Sequence, residues 1–229
     1  MAYENQLIGV FIYSLGIVTG KQNIKFADAI NLIQQTPYDK DFGDILAYWQ
    51  GKNFLIEFKR DEAGLKTEAK KPKRGRLLRK AVENRVVAEL SIRCHFIAHA
   101  INTSKSSQIV FKSYLLFDKP DTPVIEHSSF VNKLKDPSSA LGISDGKQFK
   151  IYLNCLTEAS EADTVVSGLL VNASADGKIR FLTFESYHEL ALRLGLLKQH
   201  SISTSPNLEN DQNQNQKKHS QQNKGIGMN

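Results

Sequence analysis

The amino-acid sequence predicts an α/β protein, because helix-like and strand-like patterns alternate along the chain. Three observations carry this prediction: an apolar helical segment over residues 4–18, an alternating hairpin pattern over residues 43–60, and a long helical pattern over residues 77–101 that leads into a strand-like run. Of the 229 residues, 41% are hydrophobic and 24% are charged, which suits a soluble domain whose core needs no cross-links.

Breaker residues bound the first two predicted helices. The helix over residues 4–18 ends at Thr19-Gly20, since glycine is common just after a helix. A short helix over residues 26–35 stops ahead of Pro37, because the residue before a proline avoids the helical conformation. Both segments therefore precede the hairpin.

The hairpin pattern consists of two β-prone strands, Ile45–Trp49 and Phe54–Lys59, around a turn at Gly51-Lys52. Side chains alternate between the two faces of a strand, so the turn fixes which residues meet. A loop centred at this turn makes one face apolar throughout. The expected pairs on that face are Trp49 with Phe54, Ala47 with Ile56, and Ile45 with Phe58.

The other face of the hairpin gathers three ionisable side chains at one end. The same register puts Asp44 opposite Lys59, with Glu57 diagonal to Asp44 at about 7–8 Å. The sequence therefore predicts a small charged cluster beside an otherwise apolar hairpin.

The later elements follow from breakers and periodicity. A basic segment interrupted by Pro72 and Gly75 precedes the long helix, which runs from about Leu77 to Ile101. Further along we expect a strand over residues 108–117, a short helix near 130–134, strands over 149–156, 165–172 and 179–184, and a helix that begins at the capping box Ser186–Glu189 and stops at Gly195.

Composition divides the chain into three parts. Residues 1–117 are expected to form the core, and residues 118–200 to continue it as a sheet extension or an interaction region. Residues 201–229 contain 11 Asn or Gln and few apolar residues, so burial cannot offset the entropy of ordering them. We expect this last part to be a disordered tail.

Positive charge is concentrated in one segment. The net charge is +6, and between Lys66 and Lys80 eight Lys or Arg residues accompany a single acid, Glu68. Such a concentration is typical of a surface that binds a polyanion such as nucleic acid. A solvated loop and helix start would have the same composition.

The cysteines and the first apolar segment bear on location. Cys94 and Cys155 have no CxxC spacing, which favours a reduced, cytoplasmic protein. The apolar run from Leu7 to Val18 is shorter than the about 20 residues that a bilayer requires, so we expect no membrane partner.

The charged end of the hairpin has a possible catalytic meaning. Two close carboxylates repel each other unless a cation lies between them. Mg²⁺ and Mn²⁺ suit such a site, because they bind one or two protein carboxylates and keep positions for water and phosphate. Lys59 could stabilise developing charge or orient the attacking water. The alternative is a surface ion pair of Asp44 and Lys59, which contributes about 0–1 kcal/mol.

The pattern D-x12-E-x-K formed by Asp44, Glu57 and Lys59 resembles the PD-(D/E)XK phosphodiesterase superfamily, the fold of many restriction enzymes, resolvases and repair nucleases. Glu4, in YENQLIGVFIYSL, has a place similar to the acidic residue early in the first helix of archaeal Holliday-junction resolvases. The sequence departs from the motif in having Gly43 in place of proline.

This resemblance covers about residues 1–117 and implies a restriction-endonuclease-like core, in which helices flank a mixed sheet and the later strands and helix are additions. It implies that Asp44 and Glu57 are ligands of Mg²⁺ or Mn²⁺ and that Glu4 is a further metal or water contact. Lys59 would be the catalytic base or the charge stabiliser.

The basic segment then becomes a candidate for binding nucleic acid near the metal. Contacts to phosphates give affinity without sequence information. The candidate residues are Lys70, Lys71, Lys73, Arg74 and Arg76.

A pair of histidines is a weak candidate for a zinc site. His95 and His99 lie four residues apart on the predicted long helix, but no acid stands between them as in HExxH. Their apolar neighbours favour core or helix-surface histidines instead.

Three functions remain open from the sequence. The first is a metal-dependent nuclease, acting on DNA in restriction, phage defence or repair by family likeness. The second is an inactive nucleic-acid-binding module, or a subunit of a larger complex, with the same fold. The third is an interaction protein whose basic segment meets an acidic partner. A homodimer is compatible with each of them.

Overall fold

The computed structural model describes residues 3–22, 28–32, 43–102, 107–160, 168–173 and 179–184. The described helices are α1 Glu4–Gln22, α2 Glu62–Ala69, α3 Pro72–Glu83, α4 Arg85–Cys94, α5 His127–Lys135 and α6 Gly146–Ser160. The described strands are β1 Asp28–Leu32, β2 Ile45–Trp49, β3 Lys52–Lys59, β4 His95–Asn102, β5 Ser107–Ser113, β6 Ile125–Glu126, β7 Gly168–Ala173 and β8 Ile179–Phe184.

The strands form one mixed sheet in the order β6-β5-β4-β3-β2-β1-β7-β8. Strands β3 and β4 are parallel, and the other neighbouring pairs are antiparallel. The connection between the two parallel strands runs through α2, α3 and α4. The predicted α/β class, with a mixed sheet flanked by helices, is therefore confirmed.

The hairpin exists, but its turn differs from the expectation. The turn residues are Gln50 and Gly51, with φ of 52° and 76°, which matches the twist that two-residue hairpins prefer. Trp49 pairs with Lys52 and Ile45 with Ile56, so the register is shifted by two residues from the predicted one. A shift by an even number keeps every side chain on its predicted face.

The short helix expected over residues 26–35 is wrong where the structure describes it. Residues 28–32 are strand β1, which pairs with β2 on one side and with β7 on the other. Backbone pairing on both sides outweighs the weak helical propensity of so short a segment. The remainder of that prediction, residues 26–27 and 33–35, lies outside the described part of the chain.

The long helix expected from Leu77 to Ile101 is also wrong. Asn84 has an extended backbone, and its side chain accepts the N–H groups of Val86 and Val87, so that it ends α3 and caps α4. Residues 95–100 then form a strand with six consecutive buried positions. A strand that is covered on both faces lacks alternation, which makes its pattern resemble that of a helix.

The strand expected over residues 149–156 is a helix, α6. Its buried residues Phe149, Tyr152, Leu153 and Leu156 follow the helical spacing of three and four. Other predicted elements are present with somewhat different bounds. Helix α1 covers residues 4–18 but continues past the expected stop at Thr19-Gly20 to Gln22, and β5 ends at Ser113 instead of residue 117. Helix α5 covers 130–134, β7 overlaps its predicted strand, and β8 matches its predicted bounds. The predicted final helix, residues 186–195, and the tail, residues 201–229, lie outside the described residues.

Aromatic side chains fill the sheet face that α1 and α5 cover. Phe11 of α1 lies against Phe58 and Phe111, with ring centroids 5.9 and 5.6 Å away. Phe130 of α5 stacks on Phe111 at 3.9 Å. Helices α2 and α6 lie on the opposite face, which carries the charged end of the hairpin. None of the described helices combines the length and the apolar composition that crossing a membrane requires.

Candidate active site

The candidate site lies at the carboxyl end of β3, where this parallel strand leaves the sheet and the chain enters α2. Ligands in sheets with parallel strands commonly bind beyond the carboxyl ends of those strands. Asp44 immediately precedes β2. Glu57 and Lys59 are the last two residues on one face of β3. The hairpin thus brings together the three residues that the sequence predicted.

Asp44 closes the open end of the hairpin. Its N–H donates to the carbonyl of Ile56 at 2.9 Å, and its carboxylate Oδ2 accepts the N–H of Phe58 at 2.5 Å. The side chain is buried, with 6% of the residue exposed. The shifted register places it beside Glu57 instead of opposite Lys59, because Ile45 already pairs with Ile56.

Gly43 explains the missing proline of the motif. Its φ is +96°, which proline cannot adopt. A Cβ at this position would lie 3.1 Å from the carbonyl oxygen of Ile56 and 3.4 Å from Glu57 Oε2. The glycine therefore permits the close approach that seats Asp44 against β3.

Glu57 is a buried carboxyl in a negative environment. Burial, and after it the charge of Asp44, raises the pKa of Glu57 from 4.5 to about 7, although Lys59 acts in the opposite direction. The ionised form of Glu57 is therefore disfavoured here, first because burial removes its hydration and then because Asp44 is also negative.

Lys59 forms an ion pair with Glu57 Oε1, and its Nζ lies 3.4 Å from Glu68 Oε2. Burial alone would lower the pKa of this ammonium, but the charge and hydrogen bond of Glu57, with the charge of Glu68, raise it above the usual value. Lys59 is therefore a fixed positive charge within the site.

The sequence did not predict two further residues of the site, Glu68 and Tyr114. Glu68 of α2 is 2% exposed, and its Oε2 lies 2.7 Å from Nζ of Lys71. The hydroxyl of Tyr114 donates to Glu68 Oε1 at 2.6 Å. The only signal in the sequence was that Glu68 is the single acid within the basic segment.

A glycine allows α2 to bring Glu68 to the site. A Cβ on Gly64 would lie 3.2 Å from Cβ of Lys59, closer than such atoms normally approach. Asp61 begins the helix by accepting the N–H of Gly64 at 3.0 Å. The start of α2 is therefore packed directly on Lys59.

Glu4 reaches the same end of β3 from the first turn of α1. Its Oε1 accepts the N–H of Arg60 at 3.1 Å, one residue beyond Lys59. The guanidinium of Arg60 lies 5.5 Å from the ring centroid of Tyr3. Glu4 is thus beside the cluster, in contact with the backbone that follows the catalytic candidate.

The five basic candidates have different environments. Lys70 is exposed, and one third of the Lys71 side chain is exposed beside the carboxylates. Lys73 and Arg74 are buried, and Arg74 pairs with Asp118 at 2.6 Å. Arg76 donates to a carbonyl near the end of α6, that of Ala159. Of these residues, Lys71 forms ion pairs with both Glu57 and Glu68.

Arg74 has a structural role in this arrangement. Its guanidinium lies 4.5 Å from the ring centroid of Phe117 and donates to the carbonyl of Leu115 at 3.3 Å. These contacts tie α3 to the segment after β5. A phosphate would have to displace them.

His95 and His99 do not form a metal pair. They lie on strand β4, where four residues span about 13 Å, so the helical spacing assumed for them is wrong. Nδ1 of His95 is 2.8 Å from the hydroxyl of Tyr152, and burial lowers its pKa well below the usual value. His95 is therefore a neutral core residue.

The residues present fit Mg²⁺ or Mn²⁺ better than zinc. Within the described ranges no three His, Cys, Asp or Glu side chains are grouped so that they could hold a metal ion. Mg²⁺ requires only one or two protein carboxylates and keeps several waters. Asp44 and Glu57 supply two buried carboxylates at this end of the hairpin.

Comparisons with known proteins give no relative. No protein-family model, curated protein or solved structure matches the chain. The resemblance to PD-(D/E)XK nucleases therefore stays a prediction from the sequence pattern of Glu4, Asp44, Glu57 and Lys59.

Proposed function

We propose that this protein is a metal-dependent nuclease with a restriction-endonuclease-like core, which hydrolyses phosphodiester bonds of DNA. The observation that carries the proposal is the buried pair of Asp44 and Glu57, with Lys59 as an ion-pair partner, at the carboxyl end of a parallel strand. Buried charges that do not pair simply with each other are more common at catalytic sites than elsewhere.

Each residue has a defined part in the proposed reaction. Asp44 and Glu57 would hold the Mg²⁺ or Mn²⁺ ion, which would polarise a phosphodiester and lower the pKa of a bound water. Lys59 would supply positive charge to the phosphate oxygens on which negative charge develops. Glu4 lies at the edge of the cluster and can accept a hydrogen bond from a water.

The proposed partner is nucleic acid, which is held through its phosphates. Lys70 and Lys71 lie in the turn between α2 and α3, next to the carboxylate cluster. Their ammonium groups can neutralise phosphates without reading the bases. A role in restriction, phage defence or repair, and assembly as a homodimer or within a larger complex, belong to the same proposal.

A specific observation favours a second candidate, an inactive nucleic-acid-binding module. Lys59 and Lys71 already pair with Glu57 and Glu68, so the network is satisfied in part without a metal ion. Such a network could fix the turn that presents Lys70. The two candidates differ in whether DNA is cut.

A cleavage assay with matched variants separates them. Supercoiled, linear and branched DNA would be incubated with Mg²⁺ or Mn²⁺, with EDTA as the control for metal dependence. Asp44→Asn and Lys59→Met keep the shape of each side chain, and we expect each to reduce the cleavage rate by about 10²–10⁴-fold. Asp121→Asn, on the surface, is the matched control and should cleave like the wild type.

The outcomes are distinct. Metal-dependent cleavage that both site variants lose, and the control keeps, supports the nuclease. DNA binding by the wild type without cleavage in either metal supports the binding module instead. Cleavage that survives in Asp44→Asn would remove the hairpin from the catalytic site.

A further inference from the structure

We propose that Glu68 is a positioning residue of this site, which holds the ammonium of Lys59 in place and so leaves Glu57 available as a metal ligand. The inference rests on the proposed function. Glu68 comes from α2 and is 2% exposed. Its Oε2 lies 3.4 Å from Nζ of Lys59 and 2.7 Å from Nζ of Lys71.

The charges of the cluster explain why a third carboxylate is needed. Nζ of Lys71 lies 3.8 Å from Glu57 Oε1, so both lysines are within reach of Glu57 as well as of Glu68. Lys59 is closer to Glu57 than to Glu68, and without Glu68 the ion pairs described for both ammonium groups would be with Glu57 alone. They would then compete with a cation for its oxygens.

With Glu68 in place, each lysine has a second anionic partner. A cation bound at Glu57 repels the nearby ammonium of Lys59, since like charges at short range disfavour each other. Glu68 attracts that ammonium and allows it to remain charged inside the site. Burial alone would raise the pKa of Glu68, but hydrogen bonds from Lys71 and Tyr114, with the charge of Lys59, lower it.

A chain of buried contacts fixes the position of Glu68. Tyr114 donates to its Oε1 at 2.6 Å and stacks on His95, with ring centroids 4.1 Å apart and planes 5° from parallel. Nδ1 of His95 is in turn hydrogen-bonded to the hydroxyl of Tyr152 at 2.8 Å. The carboxylate is thus anchored to the core through Tyr114, while its other oxygen faces the two lysines.

The stability of the fold gives no comparable reason for a charged residue here. A buried ion pair is often no more stabilising than apolar side chains of similar volume, because the charges lose hydration. The gain from Glu68 is therefore in the geometry of Lys59. Residues that orient the groups around a metal commonly change metal affinity or activity by about 10–100-fold when they are replaced.

The test compares two carboxylates of the same helix. Glu68→Gln keeps the size of the side chain and a carbonyl oxygen for Tyr114, and Glu62→Gln removes the same charge from the exposed first turn of α2. Cleavage would be measured as a function of DNA and Mg²⁺ concentrations. Mn²⁺ binding would be measured by calorimetry on the full chain without DNA.

For Glu68→Gln we expect kcat to fall by about 10–100-fold and Mn²⁺ binding to weaken by about 10-fold, with KM for DNA changed by less than about 3-fold. Tyr114→Phe, which removes only the hydroxyl, should shift both quantities in the same direction by a smaller factor. Glu62→Gln should leave kcat and Mn²⁺ binding within about 2-fold of the wild type.

Four results would overturn the inference. If Glu68→Gln and Glu62→Gln have equal kcat and equal Mn²⁺ affinity, Glu68 does not position the site. If Glu68→Gln does not fold, Tyr114→Phe decides, and wild-type kcat and Mn²⁺ affinity in that variant count against the proposal. No cleavage by the wild type overturns the proposed function and this inference with it, whereas cleavage that only Asp44→Asn loses overturns the inference alone.

Discussion

Strand β3 has two faces that differ completely in chemistry. On one face Phe54, Ile56 and Phe58 are fully buried against α1 and α5. On the other face, the neighbouring residues Glu57 and Lys59 meet charged groups of α2 and of the turn after it. One continuous strand therefore contributes both to the aromatic core and to the candidate site.

The difference shows which face stabilises the fold. Burying one large apolar side chain contributes about 1.5–3 kcal/mol. The charged face loses hydration for each buried ion, and its pairing recovers that loss only in part. We infer that the aromatic face holds the strand in place and that the charged face is maintained for its chemistry.

The largest expected effect on stability comes from the aromatic face. Phe130→Ala should lower the free energy of unfolding by about 3–5 kcal/mol, because its ring packs on Phe111 at 3.9 Å and on Phe96 at 4.9 Å. Urea denaturation would measure the change. Ile151→Ala, at a half-exposed position of α6, is the control and should change stability by less than about 1 kcal/mol. Equal losses of stability in Phe130→Ala and Ile151→Ala would contradict the inference that the aromatic face holds the strand in place.

On the charged face, a substitution of Glu57 is expected to raise the free energy of unfolding instead of lowering it. The pKa of Glu57 is raised from 4.5 to about 7, so the stability linked to this carboxyl is fully present below pH 4.5 and is lost as the pH rises through 7. Glu57→Gln does not titrate. In EDTA, the free energy of unfolding of the variant relative to the wild type should therefore increase between pH 5 and pH 8, on the order of 2 kcal/mol.

The comparison of variant and wild type isolates Glu57. His95 and His99 are buried with lowered pKa values, so they favour the folded protein less as the pH falls below 6.5, but they do so in both proteins. Their contributions cancel in the difference. If the difference in the free energy of unfolding between variant and wild type stays constant from pH 5 to pH 8, the pKa of Glu57 is not raised in the folded protein.

A smaller effect is expected at the other end of β3, where a charged residue lies on the aromatic face. The ammonium of Lys52 donates to the carbonyls of Asp136 at 2.6 Å and Ser139 at 3.0 Å, just after α5 ends. The same ammonium lies 3.4 Å from the carbonyl oxygen of Lys133, in the last turn of α5, where a cation is favourable for the helix C-terminus. Lys52→Met should cost about 1–2 kcal/mol in urea denaturation, with Lys147→Met, at an exposed position, as control. No loss of stability would mean that packing alone fixes α5.

The sequence predicts the hairpin and the faces of its strands because alternation survives a shift by two residues. Asp44, Glu57 and Lys59 are brought together even though the turn is at Gln50-Gly51. Glu68 could not be found in this way. Its place in the site depends on the approach of α2 to β3 at Gly64, a tertiary contact that no local pattern encodes.

The failures of the sequence analysis have a common physical cause. Residues 95–100 are buried on both faces of the sheet, so their pattern shows no period that distinguishes strand from helix. Residues 28–32 become a strand through pairing with β2 and β7, which lie far from each other in the sequence. Burial of Arg74 against Asp118 is likewise decided by segments distant in the chain, although the basic composition suggested a solvated surface.

The order in which the chain emerges gives the hairpin a further consequence. A two-residue turn joins β2 to β3, and such hairpins form in about 1–10 μs. All carboxylates and lysines of the cluster from Asp44 to Lys71 are then available, but Tyr114 and strand β4 follow later in the chain. At about 5–20 residues per second, synthesis needs several seconds to reach them. We therefore expect that the burial that raises the pKa of Glu57 is complete only after β4 and Tyr114 have docked on β3 and Glu68.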